Sequence, residues 1–487
     1  MLTNNGVQCN IINGTGYFTW NSALWMNIEE GVIIYTKYCP FNYCNYAKKL
    51  IELNYHPNVQ CAFNRAGRLC GSCKKNYSLA IGSSHCIHCP SNNNLALLIF
   101  FAAAGFLLVF FISALNLTIT PGKINGLIFY ANIIWTYQSI FFPPNKTYTV
   151  VTVFLKIFIA WMNLDFGIET CFVKGLTAFW KTWLQFFFPF YIWAIAGLMV
   201  VTAKRSSWMT KVYGNQAVPL LATLFLLSYM KLLRTAISTF VFSTLSGYPE
   251  RSKLSVWSVD GDLTYFGVSH TLLLVAALAT LLLLWLPYTL SLLMLPQLQS
   301  ISHLRFFKWI TRFTPFYDAH MAPFKPIHRY WFGVLLLARG ILLVISASTF
   351  AIPQSTSLLI LFIFGITILL YMTIVQPYKS TALLILQSSF HMNLILLCGL
   401  VLYAHTQAGN KHTLQGVAVG LSTGVAFLQF CGILFNNMIK VYRCWNNKRK
   451  HEYNNCNENK DELKVDDELS ADYRDSILVE SLPLQKH

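Results

Sequence analysis

The chain has 487 residues, of which 55% are hydrophobic and only 11% charged, with a mean hydropathy of +0.48. A soluble domain carries about 25% charged residues. The composition therefore excludes an ordinary soluble protein and implies an all-α polytopic membrane protein with a small disulfide-rich extracellular module. The net charge of +17 does not point to nucleic acid, because the cations sit in the connections between apolar runs.

Residues 1–94 are polar and hold eight of the thirteen cysteines: Cys9, Cys39, Cys44, Cys61, Cys70, Cys73, Cys86 and Cys89. The last four form a C-x2-C…C-x2-C pattern, which serves a zinc site or a disulfide framework equally well. The first apolar run is 95–115, and the next, 127–142, stops at Pro143-Pro144. Residues 150–166 are short, and Thr152, Lys156 and Asn163 fall near one helical face, so this segment is expected to be interfacial or re-entrant. Further spans are expected at 184–203, 217–243, 270–295, 331–350, 357–375, 382–403 and 415–439, which makes nine in a membrane domain covering 95–439. The tail, 440–487, is basic over 440–450 and then acidic, a composition that predicts disorder.

Charge bias orients the spans. With residue 94 outside, the inner connections carry Lys123; Lys204, Arg205 and Lys211; Arg305, Lys308, Arg312, Lys325 and Arg329; Lys379; and Lys440, Arg443, Lys448, Arg449 and Lys450. The outer ones carry only Lys146, Lys156, Lys174, Lys181, Arg251, Lys253 and Lys411. The positive-inside rule then places the N-terminus outside and the C-terminus in the cytosol of a plasma-membrane protein. On the oxidising face the cysteines are expected to form disulfides rather than hold zinc. The glycosylation sequons at Asn13, Asn76 and Asn145 fall outside, and the one at Asn116 falls inside. Eight cysteines allow 105 pairings, and spacing does not choose among them. The start, MLTNNGVQCN, has neither the basic residues nor the apolar run of a signal peptide, which leads us to expect further cysteine repeats upstream.

The run from Cys61 to Pro90, with its paired C-x2-C elements and Gly71, Tyr77 and Gly82, resembles the ephrin-receptor-like (GCC-type) repeat, a small EGF-like disulfide module. The stretches GLIFYANIIWTYQSIFFP, WMNLDFGIETCF, TWLQFFFPFYIWAIAGL, LFLLSYMKLLRTAIS and HRYWFGVLLLARG resemble a family of invertebrate multi-pass proteins that place this repeat before the first span. VQPYKSTALLILQ is similar, more distantly, to the last spans of TRP-like membrane proteins. The resemblance implies an architecture and no activity.

No expected span contains Asp or Glu, yet Lys231, Arg234 and Arg339 lie mid-span. A charge at that depth costs at least ~2.5–3.5 kcal/mol and faces the protein interior or water. Their expected partners are backbone carbonyls, an anionic lipid or permeant anion, or Asp165 and Glu169 if the 150–166 segment dips inward, and the two readings are an anion-attracting cavity and interior packing against carbonyls with snorkelling side chains. His270, His405 and His412, with Asp260 and Asp262, lie near the outer face but lack metal-ligand spacing, and no nucleophile or phosphate-loop motif is present, so neither catalysis nor a cofactor is expected. The basic Arg305–Arg329 and Lys440–Lys450 regions suit anionic lipid headgroups or a cytosolic partner, and Cys444 suits palmitoylation. These features favour a receptor-like or TRP-like channel or transporter with an extracellular ligand, ahead of an adhesion receptor without transport and, last, a membrane hydrolase.

Overall fold

The computed structural model describes the chain except residues 1–6, 13–14, 21–24, 30–31, 37–38, 45–50, 53–56, 63, 90–94, 143–149, 166, 168, 172, 204–216, 249–252, 295–312, 348–352, 407–410 and 450–487. Among the described residues, seven helices are long and apolar enough to cross a membrane: α5 (Ala178–Ala203), α6 (Ala217–Phe240), the stretch Val268–Leu293, α10 (Trp331–Ala347), α11 (Gln354–Val375), α12 (Thr381–Thr406) and α13 (Lys411–Arg449). In hydrocarbon every backbone amide and carbonyl must be satisfied within its own segment, so uninterrupted apolar runs become helices. The Val268–Leu293 stretch comprises α7 (Val268–Ala279), a π-helical stretch (Thr280–Trp285) and α8 (Leu286–Leu293). The π stretch lies just before Pro287, which lacks the N–H of a regular α-ladder.

The remaining helices are α1 (Leu95–Ala114), α2 (Asn125–Thr136), α3 (Gln138–Phe141), α4 (Val150–Trp161) and α9 (Thr314–Met321). The expected span 127–142 is broken at Tyr137 between α2 and α3. Helix α2 is buried over every residue from Asn125 to Trp135 and forms the centre of the helical domain, against α4, α10 and α12. Helix α4 has twelve residues, too few to span, and the chain turns back at Leu164 and Gly167, both at positive φ. A Cβ on Gly167 would approach Cα of Ile157 to 3.0 Å, so a side chain there would obstruct this return.

Residues 7–89 do not form a separate body. Strands β3 (Trp25–Glu29) and β4 (Val32–Thr36) join a four-stranded antiparallel sheet whose other half, β10 (Phe242–Tyr248) and β11 (Lys253–Trp257), is the connection leaving α6. The register pairs Ser246 with Tyr35 and Gly247 with Ile34. Trp25, Leu69, Leu245 and Val256 share one core with Cys39, Cys44, Cys61 and Cys70. Strands β1 (Val7–Ile12), β2 (Thr15–Trp20) and β5 (Ile51–Glu52) form a second sheet. Short pairs β6–β7 (Arg65–Ala66, Ser72–Cys73) and β8–β9 (Tyr77–Leu79, Cys86–His88) shape the cysteine-rich run. The chain divides into two units, 1–430 and 431–487, and of the second only the helix up to Arg449 is described.

Candidate functional site

The cysteines pair as Cys39–Cys44, Cys61–Cys70, Cys73–Cys86 and Cys89–Cys171. In these bonds the sulfurs are oxidised and offer no thiolate to a metal. The fourth pair corrects the expectation that the N-terminal cysteines pair among themselves. Cys171 lies in the connection between α4 and α5, and only its place on the expected outer face could have flagged it. Cys9 lies in β1, and its expected disulfide falls outside the described residues.

The Cys89–Cys171 bond is part of a wider seam between the cysteine run and residues 169–181. Leu79 N–H donates to the Leu176 carbonyl (3.1 Å), Ile81 N–H to Thr170 (3.2 Å), and Gly175 N–H to Ser78 Oγ (2.7 Å). Lys181 Nζ donates to the Ala80 carbonyl at 2.7 Å and also to that of Ser83. His85 Nδ1 lies 3.1 Å from Glu169 Oε2, and this hydrogen bond holds the Glu169 carboxyl below the usual carboxylate range. Leu79, Cys86, Ala178, Trp257 and Leu273 pack together beneath the seam.

On the other side of the same segment sits Asp165. Its Oδ2 accepts from Lys231 Nζ at 2.9 Å and from Arg234 Nη2 at 3.4 Å, and Trp135 Nε1 approaches it at 3.3 Å. The Arg234 guanidinium also lies 5.5 Å from the Trp135 ring centre. Lys231 is only 3% exposed. Lys231 and Arg234 are three residues apart and so share a face of α6, while the turn after α4 brings the carboxylate to them. Asn163 fixes that turn, donating to the carbonyls of Ala131 (3.0 Å) and Ile159 (2.8 Å) and accepting from Asn132 Nδ2 (2.9 Å). Lys181 adds its field to the same carboxylate, so cations outnumber the negative charge. The expected five-residue cavity thus divides. Asp165, Lys231 and Arg234 come together. Glu169 faces His85 instead, and Arg339 lies apart, its Cζ 5.2 Å from the Phe129 ring centre. His85, Lys181, Trp135 and Asn163 were not expected as members, because nothing local in the sequence marks contacts between segments so far apart.

A second contact holds the cysteine run to the loop after β11. Asp262 Oδ1 accepts from Arg68 N–H (3.0 Å), its Oδ2 from Ser72 Oγ, and Asp260 Oδ1 from Asp262 N–H (3.3 Å). Gly71 lies against Gly261 and Asp260 so closely that a Cβ would sit 2.6 Å from Gly261 N. Burial, and then the neighbouring Asp262 charge, push the Asp260 carboxyl up to about 6. A folded-state value above the unfolded one means the folded chain binds the proton more tightly. Stability from this group is therefore full below about pH 4 and is lost as pH rises to about 6, on the order of 2–3 kcal/mol. Asp260→Asn should flatten that part of the pH–stability curve and leave the variant more stable than the parent at pH 7, as thermal unfolding across pH 4–7 would show. An unchanged slope would contradict this assignment.

Among the described residues, His270 and His405 do not come together. His270 is fully buried, its Nε2 3.1 Å from the Thr239 carbonyl, His405 lies in the last turn of α12, and the His412 side chain is outside the described residues. Asn76 is exposed in the cysteine run, while Asn13 and Asn145 lie outside the described residues. Of the two basic regions, residues 305–312, Lys450 and the Cys444 side chain lie outside the described residues; Arg329 is 4.0 Å from Asp318, and Lys440 and Arg443 are exposed. An open groove of about 770 Å³, lined by Lys174, Phe179, Trp180, Trp183, Phe187 and Leu272, lies beside the seam and shares no residue with the charged cluster. The chain matches no family model, no curated protein and no solved structure.

Proposed function

We propose that the chain is a multi-pass protein of the cell surface in which an extracellular cysteine module controls an intramembrane charged site, in the manner of a receptor-like or TRP-like channel or transporter. One observation carries this reading. The segment 165–181 presents Asp165 to Lys231 and Arg234 at one end and is bonded to the module through Cys171, Glu169 and Lys181 along its length. A ligand that shifts the module would move the carboxylate that neutralises two membrane-buried cations. Currents recorded from purified protein in planar bilayers, with and without Lys231→Ala, test it. Silence of the parent protein under all conditions would count against transport.

The proposal includes nine crossings, with α1 and the α2–α3 pair added to the seven long helices, the N-terminus outside and the C-terminus in the cytosol, and it treats residues 61–90 as an ephrin-receptor-like repeat. Asn76, exposed and at positive φ in a turn, should then carry a glycan, and Asn116 should not. Endoglycosidase mass shifts on Asn76→Gln and Asn116→Gln check the orientation, and a glycan on Asn116 would reverse it. The second reading, an adhesion receptor without transport, rests on the module itself. It would gain support if bilayers stay silent while a ligand recruits cytosolic protein to the tail.

A further inference from the structure

Helix α2 carries a polar stripe through the middle of an apolar domain. Asn125, Phe129, Asn132 and Thr136 are spaced by four, three and four residues, so they lie on one face and extend ~16 Å along the axis. Both Asn125 and Asn132 are buried, and Asn125 Nδ2, Asn125 Oδ1 and Asn132 Oδ1 have no hydrogen-bond partner among the described residues. Beside this stripe stands Arg339 of α10. It is 2% exposed, and its Nε and Nη1 also lack a partner. Its surroundings are the Phe129 ring and the side chains of Tyr229, Tyr288, Tyr378 and His391. His391 stacks on Phe129 at 4.8 Å, and its Nε2 is unpartnered too. The outer end of the stripe is Trp135 with the Asp165–Lys231–Arg234 cluster.

Buried polar groups are almost always satisfied, and a guanidinium in hydrocarbon without a carboxylate is costly. Asp165 is already engaged by two cations. We propose that Arg339 binds a small inorganic anion of halide size, and that the α2 stripe is the hydrated file leading to it. The packing sets the size. Gly340, the next residue, meets the Trp285 ring so closely that a Cβ would lie 2.8 Å from it, and Gly126 is covered by Gln387 and Phe390. A lipid phosphate, with its bulky substituents, is excluded where the guanidinium is this enclosed, so the proposed ligand is a monatomic anion. The guanidinium donates to the anion, Asn125 Nδ2 supplies a further donor, and the tyrosine-lined wall excludes bulk solvent.

The binding claim stands on these contacts; its role in conduction rests on the transport reading above. The test is thermal unfolding of the purified full chain in chloride and in gluconate, which is too large for the site, at equal ionic strength. The parent should gain a few degrees in a saturable manner with chloride only, as expected for a ligand that binds the folded state. Arg339→Gln should lose the gain, Arg339→Lys should keep part of it, and Asn125→Leu should need roughly tenfold more chloride. If Arg339→Gln does not fold, the parent titration and Asn125→Leu still decide. A parent midpoint indifferent to chloride, or an Arg339→Gln variant as chloride-sensitive as the parent, overturns the inference. A chloride-dependent midpoint with silent bilayers keeps the site and removes the transport reading. Currents whose reversal potential ignores the chloride gradient, with no chloride effect on unfolding, remove the site and keep transport.

Discussion

Asp165→Asn is expected to be far more damaging than Lys231→Leu, although the two residues form one ion pair. Asp165 is the carboxylate shared by Lys231 at 2.9 Å and Arg234 at 3.4 Å. Removing it leaves two buried cations facing each other across one turn of α6. Breaking a buried pair by deleting one partner typically costs ~3–5 kcal/mol, and here repulsion between the remaining cations adds to the loss. Removing Lys231 instead leaves Asp165 with Arg234, a neutral pair, and replaces a buried ammonium by a shorter apolar side chain. Lys231→Leu and Arg234→Leu should therefore fold and reach the surface while altering transport or signalling. Asp165→Asn should lose most folded protein. The double variant Asp165→Asn with Lys231→Leu should recover part of it, because a single cation remains beside the Trp135 ring. The measurement is the folded fraction after solubilisation, by size exclusion, for the four forms. Equal losses in Lys231→Leu and Asp165→Asn would show that the carboxylate is not the shared element.

Cys171→Ser should match Cys89→Ser in effect, and the double variant should be no worse than either. The bond spans a sequence separation of 82. Closing a loop of that length restricts the unfolded chain by up to ~4.5 kcal/mol, an upper value here because membrane insertion of α1 already limits how far the ends can part. Loss of the bond should lower the unfolding midpoint and separate the module's response from the intramembrane cluster. On the proposed channel reading, ligand- or pH-driven changes outside would then no longer reach currents through Lys231. Non-reducing peptide mapping before and after reduction identifies the pair. Additive losses, or a harmless Cys171→Ser beside a harmful Cys89→Ser, would show a different pairing.

Membrane class, most helices and the unusual cations were legible in the sequence, because apolar run length and charge are local properties. At α4 the short run with Asn163 on one face was read as non-spanning, and the twelve-residue helix agrees with that reading. At Lys231 and Arg234 the three-residue spacing showed a common face, and the absence of acids from the spans showed that any counter-charge must come from a connection. The choice between Asp165 and Glu169 was not legible. It depends on the reversal at Leu164 and Gly167, which turns Asp165 toward α6 and leaves Glu169 to His85.

The sequence by itself determined that the chain lies in a membrane, where most helices fall, that the cysteine run favours oxidation, and that three cations stand at costly depth. Each follows from composition or spacing within a single segment. Only the tertiary structure decided that Cys89 joins Cys171, that the β10–β11 hairpin completes the N-terminal sheet, that one carboxylate serves two cations, and that Arg339 stands apart beside the polar stripe of α2. These are contacts between segments many residues apart. They arise from how buried faces pack and from where buried polar groups find partners, which no local pattern encodes.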